Sequence, residues 1–509
     1  MAAGGAQAPW ECVVIGSGFG GSVTAGRLAE AGVRVCLLER GPWWDTVPTR
    51  SMGVARRAPL PRGAGMLTRF LRTVNGRRIP GGRLTLNPRG LIEFFWSPGM
   101  EVICASGVGG GSHVYSAVHR RPARPDYWDG HVEDLSEATM AAHQEAFLAR
   151  IGSTTPEGPS RPPNTARERY HNHPHFEPAV PKVPVRAGFL LPEDPEAPKR
   201  ITDENGVERW EADYRGNDNG FLGSPSGAKS TLDIRYLAPA MKAGLEVRDL
   251  TEVLRLRRLE GEGPARFEIE ARDLRTGARR RLRAQTVILA AGTMNTLRVL
   301  LESVRAGGLP EIPGLGTGFS GNGDMRGFWD LNVPGSDETT GLPSKGGVLV
   351  RDMPEPRVAV GRNNLPSLHA WPIPARWRER LKRGTVVSCM GIDAADGVVR
   401  LAGRRLDIDF DPEGSPIYAR VYETLQALAR LSGRPVRMSR RPSSVHPMGG
   451  ARLGRPEARG VVGAGGEVHA VPGLFVADAA ALPAPTAAPP TQSIGAWAEN
   501  VAARYLAGR

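Results

Sequence analysis

Lysine is scarce in this chain. Only Lys182, Lys199, Lys229, Lys242, Lys345 and Lys382 are lysine among 66 basic residues; the rest are arginine. A formal net charge of +13 could serve a polyanionic partner. The basic pairs are scattered, though, and aromatics make up only 6% of the residues, so stacking platforms between them are missing. An arginine skew beside abundant Ala, Gly and Pro reads as base composition, and no nucleic-acid partner is expected. Cysteine is sparse too. Cys12, Cys36, Cys104 and Cys389 stand far apart, and Cys12 and Cys36 fall inside apolar runs, which fits buried thiols better than disulfides or a metal site. No apolar run approaches the roughly 18 residues needed to cross a bilayer. Met1–Trp10 lacks the basic and apolar regions of a secretory leader, so a cytoplasmic protein is expected. Neither a G-x-S-x-G elbow nor a Walker loop is present, which argues against hydrolase and NTPase chemistry.

At 509 residues with 40% apolar content, the chain is long enough for two domains or one large domain with a cap. Its start is the most legible part. An apolar strand over Cys12–Ile15, a glycine turn, a helix to about Ala31 and a strand over Arg34–Leu38 make a β-α-β unit. The turn reads Gly16-Ser17-Gly18-Phe19-Gly20-Gly21, the G-x-G-x-x-G of a dinucleotide site. Gly16 permits the tight turn, Gly18 admits a pyrophosphate to the backbone, and Gly21 lets helix and strand pack closely, with the helix N-terminus facing the phosphates. Glu39 closes the second strand and is placed to accept hydrogen bonds from ribose hydroxyls. This unit alone does not separate NAD from FAD.

Two further segments favour FAD. Gly107-Val108-Gly109-Gly110-Gly111-Ser112 forms a second loop where backbone can lie against a flat ring. Near the C-terminus Asp478 follows a strand, Leu474–Ala477, beside a helix beginning around Pro490, whose positive end could stabilise a reduced flavin. Between these ends, Arg50 to about Leu91 is rich in Gly, Pro and Arg and is expected to wrap the surface. A helix is expected over Leu135–Ile151. Prolines through Ser153–Lys199 exclude a long helix there and leave room for short strands. Further strands are expected over Val247–Leu256, Phe267–Ala271, Thr286–Ala290, Gly347–Val350, Thr385–Met390 and Leu406–Phe410. Helices should follow Ala291-Gly292-Thr293 and cover Tyr418–Leu431 and Thr491–Leu506. His171-Asn172-His173-Pro174-His175 has ligand-like spacing, but no nearby Cys or acidic cluster completes a metal site.

Taken together, Gly16–Gly21 with Glu39, Gly107–Ser112, Ser230–Leu237, Ala290–Thr293, Gly318–Asp324, His446-Pro447-Met448-Gly449-Gly450 and Gly473–Asp478 resemble the glucose-methanol-choline (GMC) family of FAD oxidoreductases, in particular its bacterial cholesterol oxidase-like branch. That resemblance implies an α/β fold: a doubly wound Rossmann-type FAD domain from 8–60, 95–150, 225–327 and 441–509, and a discontinuous mixed-sheet α+β substrate domain from 61–94, 151–224 and 328–440. It implies non-covalent FAD, although His113 lies one position from where some relatives attach flavin. The implied cofactor-binding set is Gly16, Gly18, Phe19, Gly20, Gly21, Glu39, Arg40, Gly107, Gly109, Gly110, Gly111, Ser112, Val253, Ala291, Gly292, Asp478 and Ala479.

By the same resemblance His446 is the base that takes an alcohol proton, a task suited to imidazole. The family pairs that histidine with an Asn or a second His at the start of the last helix. Here Pro489 stands at that position, and Tyr115 replaces an Asn usual after the second glycine loop. Tyr115, Thr491 and Gln492 are therefore the candidates to hold the substrate oxygen. The implied reaction is oxidation of an alcohol on a mainly apolar, sterol-, terpenoid- or polyketide-like molecule, with oxygen or another carrier as acceptor. Pro489 keeps open a flavoenzyme without net alcohol oxidation, such as an isomerase, lyase or desaturase, and a flavin-binding protein that has lost catalysis.

Overall fold

The computed structural model describes residues 8–156, 173–179, 185–216, 220–261, 263–333, 336–365, 368, 371–439 and 441–509. Its central sheet is built on the β-α-β unit. Strand β1 (Trp10–Ile15) leads through the glycine turn into helix α1 (Phe19–Glu30), and β2 (Val35–Leu38) returns alongside β1. All four residues of β2 are buried, as expected of a parallel strand covered on both faces. Gly20 and Gly21 let α1 sit down on its neighbours: a Cβ would lie 2.2 Å from the Ala477 carbonyl oxygen at Gly20 and 1.8 Å from that of Gly16 at Gly21.

Helix α2 (Glu137–Arg150) comes next, capped by Ser136, whose hydroxyl accepts from the Thr139 N–H. The sheet is then extended by β3 (Glu246–Arg248), β4 (Thr251–Arg258), β5 (Phe267–Asp273) and β6 (Arg279–Leu289), with helix α3 (Thr293–Arg305) after β6. Strand β7 (Leu474–Val476) and helix α4 (Thr491–Ala507) complete the unit. Strands β3, β2, β1, β6 and β7 run parallel, whereas β5 and β4 are antiparallel additions. Helices α1 and α2 each pack on α4, and α3 packs on β4.

Two local expectations are corrected. The strand expected over Val247–Leu256 is two strands, because Leu250 adopts a φ of +49° and turns the chain between them. Arg50–Leu91 does more than wrap the surface. Residues 71–76 and 83–85 are strands of a five-stranded sheet with 92–96, 101–105 and 443–444, and Arg72, Thr73 and Asn75 are buried there. Polar residues tolerate this because they are paired: the Arg72 guanidinium donates to the Pro88 and Arg40 carbonyls, and Asn75 donates to Phe94 O at 3.2 Å.

A mixed region carries a six-stranded sheet from 176–178, 325–329, 344–350, 360–363, 385–389 and 436–438, and a three-stranded sheet from 317–319, 397–402 and 405–409. The helix Pro416–Ser432 buries Tyr418, Val421, Leu425 and Leu428 along one stripe. The loop between 317–319 and 325–329 carries Asn322 and Asp324, and strand 443–444 runs directly into His446.

Candidate active site

The two glycine loops meet. Ser17 joins them: its Oγ donates to Glu39 Oε2 at 2.7 Å and lies 3.2 Å from Gly107 O, and it accepts from Gly109 N at 3.2 Å. At Gly110 a Cβ would lie 2.5 Å from Gly18 Cα, so only glycine lets the loops touch. Gly109 is also in the left-handed region, φ +95°. Ser112 closes the second loop by donating to Gly109 O at 2.7 Å and accepting from Leu232 N at 3.1 Å.

A cleft opens beside the crossing, lined by Gly16, Ser17, Gly18, Glu39, Arg40, Gly110, Gly111, Thr251, Val253, Ala291, Gly292, Asn295 and Arg298. Glu39 is buried, with Oε2 taken by the Ser17 N–H and hydroxyl and Oε1 by the Gly41 N–H at 2.7 Å. Arg40 is fixed by Glu93 Oε2 at 2.7 Å, Ser106 Oγ at 2.7 Å and Asn295 Oδ1 at 3.1 Å. Burial alone would raise the Glu93 carboxyl, but Arg40, Arg83 and Arg298 outweigh it and hold the group well below the usual carboxylate range.

Phe19 faces away from this cleft into a ring cluster with Tyr115 and Phe147. Asp478 braces the Ala291-Gly292 turn ahead of α3: Oδ2 accepts from Gly292 N at 2.8 Å and Thr296 Oγ1 at 2.6 Å, and Oδ1 from Ala480 N at 2.9 Å. Burial pushes its carboxyl up to about 6 despite those three donors. Ala479 passes the connection on, its carbonyl accepting from Gly449 N at 2.9 Å.

His446 stands at the far end of that connection. The Thr293 hydroxyl donates to Pro447 O at 2.6 Å, and Met448 and Ser320 exchange backbone hydrogen bonds at 2.9 and 3.0 Å. The half-buried imidazole places Nδ1 2.9 Å from Asp324 Oδ2 and 3.1 Å from Oδ1. Tyr115, Thr491 and Gln492 are engaged elsewhere. The Tyr115 hydroxyl donates to Ser230 O at 2.5 Å, Thr491 reaches Val118 O at 3.4 Å, and the Gln492 amide reaches Gln144 Oε1 at 3.4 Å. Lys229, fully buried, ties the same region down by donating to the carbonyls of His113, Tyr115 and Gly220.

His113 is buried, with Nε2 2.7 Å from Val108 O. His171 lies outside the described residues, while His175 pairs with Asp352 at 3.2 Å. Among the described residues no group of three or more His, Cys, Asp or Glu could hold a metal ion, and no helix is long and apolar enough to cross a membrane. Sequence reasoning assigned no role to Asp324, Asn322 or Thr293, although the first two lie in the Gly318–Asp324 segment and the third in Ala290–Thr293.

Comparison with known proteins agrees with this geometry. Residues 400–498 match the GMC oxidoreductase family model, and residues 14–43 match an NAD(P)-binding Rossmann-like domain. The chain is similar to cholesterol oxidase of Mycobacterium tuberculosis, at 25% identity over 97% of this chain and 91% of that one. It is also similar to 2-methyl-1,2-propanediol dehydrogenase of Mycolicibacterium austroafricanum, at 26% identity over 60% and 53% of the two chains. A solved structure of a fungal aryl-alcohol oxidase shares the fold, with a TM-score of 0.56 and 15% identity over 99% of this chain and 100% of that one. Over residues 400–498 the chain is similar to the GMC oxidoreductases, and over most of its length to the cholesterol oxidase. Its cofactor is FAD.

The residues present fit that cofactor. Cβ atoms added at Gly18, Gly111 and Gly292 would meet no protein atom within 4 Å, so space is kept clear where Gly18 and Gly111 line the joined loops and Gly292 opens α3. Two N-terminal helix ends, those of α1 and α3, border the same cleft, and a helix N-terminus suits a dinucleotide pyrophosphate.

Proposed function

We propose that this protein oxidises an alcohol group on a mainly apolar small molecule, with His446 as the base. The observation that carries the reading is the Thr293 to Pro447 hydrogen bond of 2.6 Å, which locks the His446 turn to the loop that borders the FAD cleft. When bound, FAD supplies the acceptor for the hydride leaving the alcohol carbon. His446 takes the hydroxyl proton, a transfer worth roughly 10²–10⁴ in rate for a well-placed base. Asp478, Thr293 and Ala479 hold the cofactor loops and the base in one frame.

Support for an alcohol donor comes from relatives named as a cholesterol oxidase and a diol dehydrogenase. Support for an apolar substrate comes from two exposed side chains around the His446 loop. Val445 is 40% exposed and Ile392 is 50% exposed. The Val445 N–H donates to Asp324, and the neighbours of Ile392 are bonded to the same loop, Gly391 N to Asn322 O and Asp393 to Gly321 N and Gly323 N. Both side chains are carried on segments tied to the loop that presents Asp324, which supports an apolar ligand there.

The proposed domain division, with the segments 61–94, 151–224 and 328–440 as the substrate side, puts Ile392 in the substrate domain and Val445 in the FAD domain. Anaerobic mixing with a panel of sterol, terpenoid and aryl alcohols tests the reading. Bleaching of the oxidised flavin band by an apolar alcohol is expected; turnover of a substrate without net bleaching would instead support an isomerase, lyase or desaturase.

A further inference from the structure

The ring of His446 has one hydrogen-bonding partner among the described side chains, and it comes from a loop more than a hundred residues earlier. Asp324 is 3% exposed. Its Oδ2 accepts from Val445 N at 3.1 Å and Ser444 Oγ at 3.1 Å, and both oxygens lie within 3.1 Å of His446 Nδ1. The His446 N–H in turn donates to Ser444 Oγ at 3.0 Å. Backbone and ring of His446 are thus fixed against the same carboxylate.

The loop that presents Asp324 is itself braced. Asp393 accepts from Ser320 Oγ at 2.7 Å, Gly321 N at 2.9 Å, Gly323 N at 3.2 Å and the Tyr418 hydroxyl at 3.0 Å. No comparable support reaches His446 from the last helix. Pro489 has no donor, and Thr491 and Gln492 are bonded to Val118 and Gln144.

We propose that Asp324 is the positioning residue of the His446 base, supplying from the Gly318–Asp324 loop the orientation that the start of the last helix does not provide. A carboxylate only accepts hydrogen bonds, so pairing with Nδ1 requires the imidazole proton to be on Nδ1 and leaves the Nε2 lone pair free. The alcohol O–H bond breaks, its proton forms the Nε2–H bond, and the imidazolium so produced lies against the negative charge of Asp324. Holding a base in the right tautomer in this manner is a documented source of large rate effects.

The inference rests on His446 being the base, and its first test needs no substrate. In holoenzyme labelled with ¹⁵N-histidine, the signals absent from His446→Gln belong to His446. They should show a protonated Nδ1 and an unprotonated Nε2 in the wild type and lose that preference in Asp324→Asn. A wild-type His446 protonated on Nε2 would overturn the proposal, whatever the fate of the alcohol reading.

The second test is kinetic. Asp324→Asn, close in shape and checked for wild-type flavin content, should slow flavin reduction by about 10²–10⁴-fold with substrate affinity changed much less. A solvent deuterium effect on reduction should appear, because proton removal becomes limiting. Asp324→Glu should recover part of the rate. Reduction at the wild-type rate in Asp324→Asn, or a loss explained wholly by lost flavin, would overturn it. If no alcohol reduces the flavin while the Nδ1–H form is seen, the function reading fails and the positioning role stands.

Discussion

The side-chain amide of Asn322 donates to the carbonyl of Ala488 at 3.0 Å, one residue before Pro489. Its oxygen accepts from Ala487 N at 2.8 Å and Thr486 Oγ1 at 3.1 Å, and its backbone sits at φ +60°, a conformation asparagine tolerates better than most residues. One loop therefore grips the approach to Pro489 through Asn322 and His446 through Asp324. If the last helix lacks only a donor, restoring one should help. Pro489→Asn is expected to raise the rate of flavin reduction by simple alcohols in stopped-flow measurements. Absent alcohol oxidation together with damaged native turnover would mark a pocket rebuilt for another reaction.

Gly18 offers a clean test of the cofactor cradle. Its φ of −72° suits any residue, and a Cβ there meets no protein atom within 4 Å. Gly18→Val should fold with a melting temperature near that of the apoprotein but purify without flavin, since the branched side chain fills the pyrophosphate's place. Full flavin occupancy would put the phosphates elsewhere. Gly21→Val, with its Cβ 1.8 Å from Gly16 O, should instead fail to fold, so the pair separates cofactor loss from misfolding.

Asp478 makes the fold pH-sensitive. Burial raises its carboxyl to about 6 in the folded protein from an ordinary value of 3.8, so the folded state holds the proton more tightly than the unfolded chain. Its contribution is present in full below pH 4 and is lost as pH rises through 6, on the order of 3 kcal/mol at about 1.4 kcal/mol per unit. Asp478→Asn should remove that part of the pH dependence of apoprotein stability, measured by denaturant melts between pH 4 and 7. An unchanged slope would show that the three donors to Asp478 hold it ionised throughout.

Val445 and Ile392, exposed apolar side chains on segments bonded to the Asn322–Asp324 loop, should govern substrate capture rather than chemistry. Val445→Asp and Ile392→Asp each place a charge where an apolar ligand would lie, and should raise KM roughly tenfold or more while kcat changes little. A fall in kcat at constant KM would show that these side chains lie off the substrate path.

How much could be read from the chain alone follows from which interactions are local. The β1–α1–β2 unit was legible because the glycines of a dinucleotide turn must sit at fixed offsets, and Glu39 must close the next strand. His446 was singled out through its Pro-Met-Gly-Gly neighbours, and its role as the base is a proposal. Asp324 was not, because the pairing joins residues 122 apart and nothing at either end of the chain announces it. Tyr115, Thr491 and Gln492 carried suitable polar groups, but their engagement by Ser230, Val118 and Gln144 depends on packing between distant helices and loops. The strands within 71–85 were hidden by composition: Arg72 and Asn75 look like surface residues until the carbonyls they serve are brought alongside.

The central claim is that His446 is the base, and single-turnover reduction of the flavin in His446→Ala tests it most directly. The variant should keep FAD bound, since among the described residues no hydrogen bond of the His446 ring goes to those lining the cofactor cleft, and substrate affinity should change little. Flavin reduction by an alcohol that the wild type oxidises should slow by roughly 10²–10⁴-fold. Reduction at the wild-type rate would remove His446 from the mechanism and contradict the account.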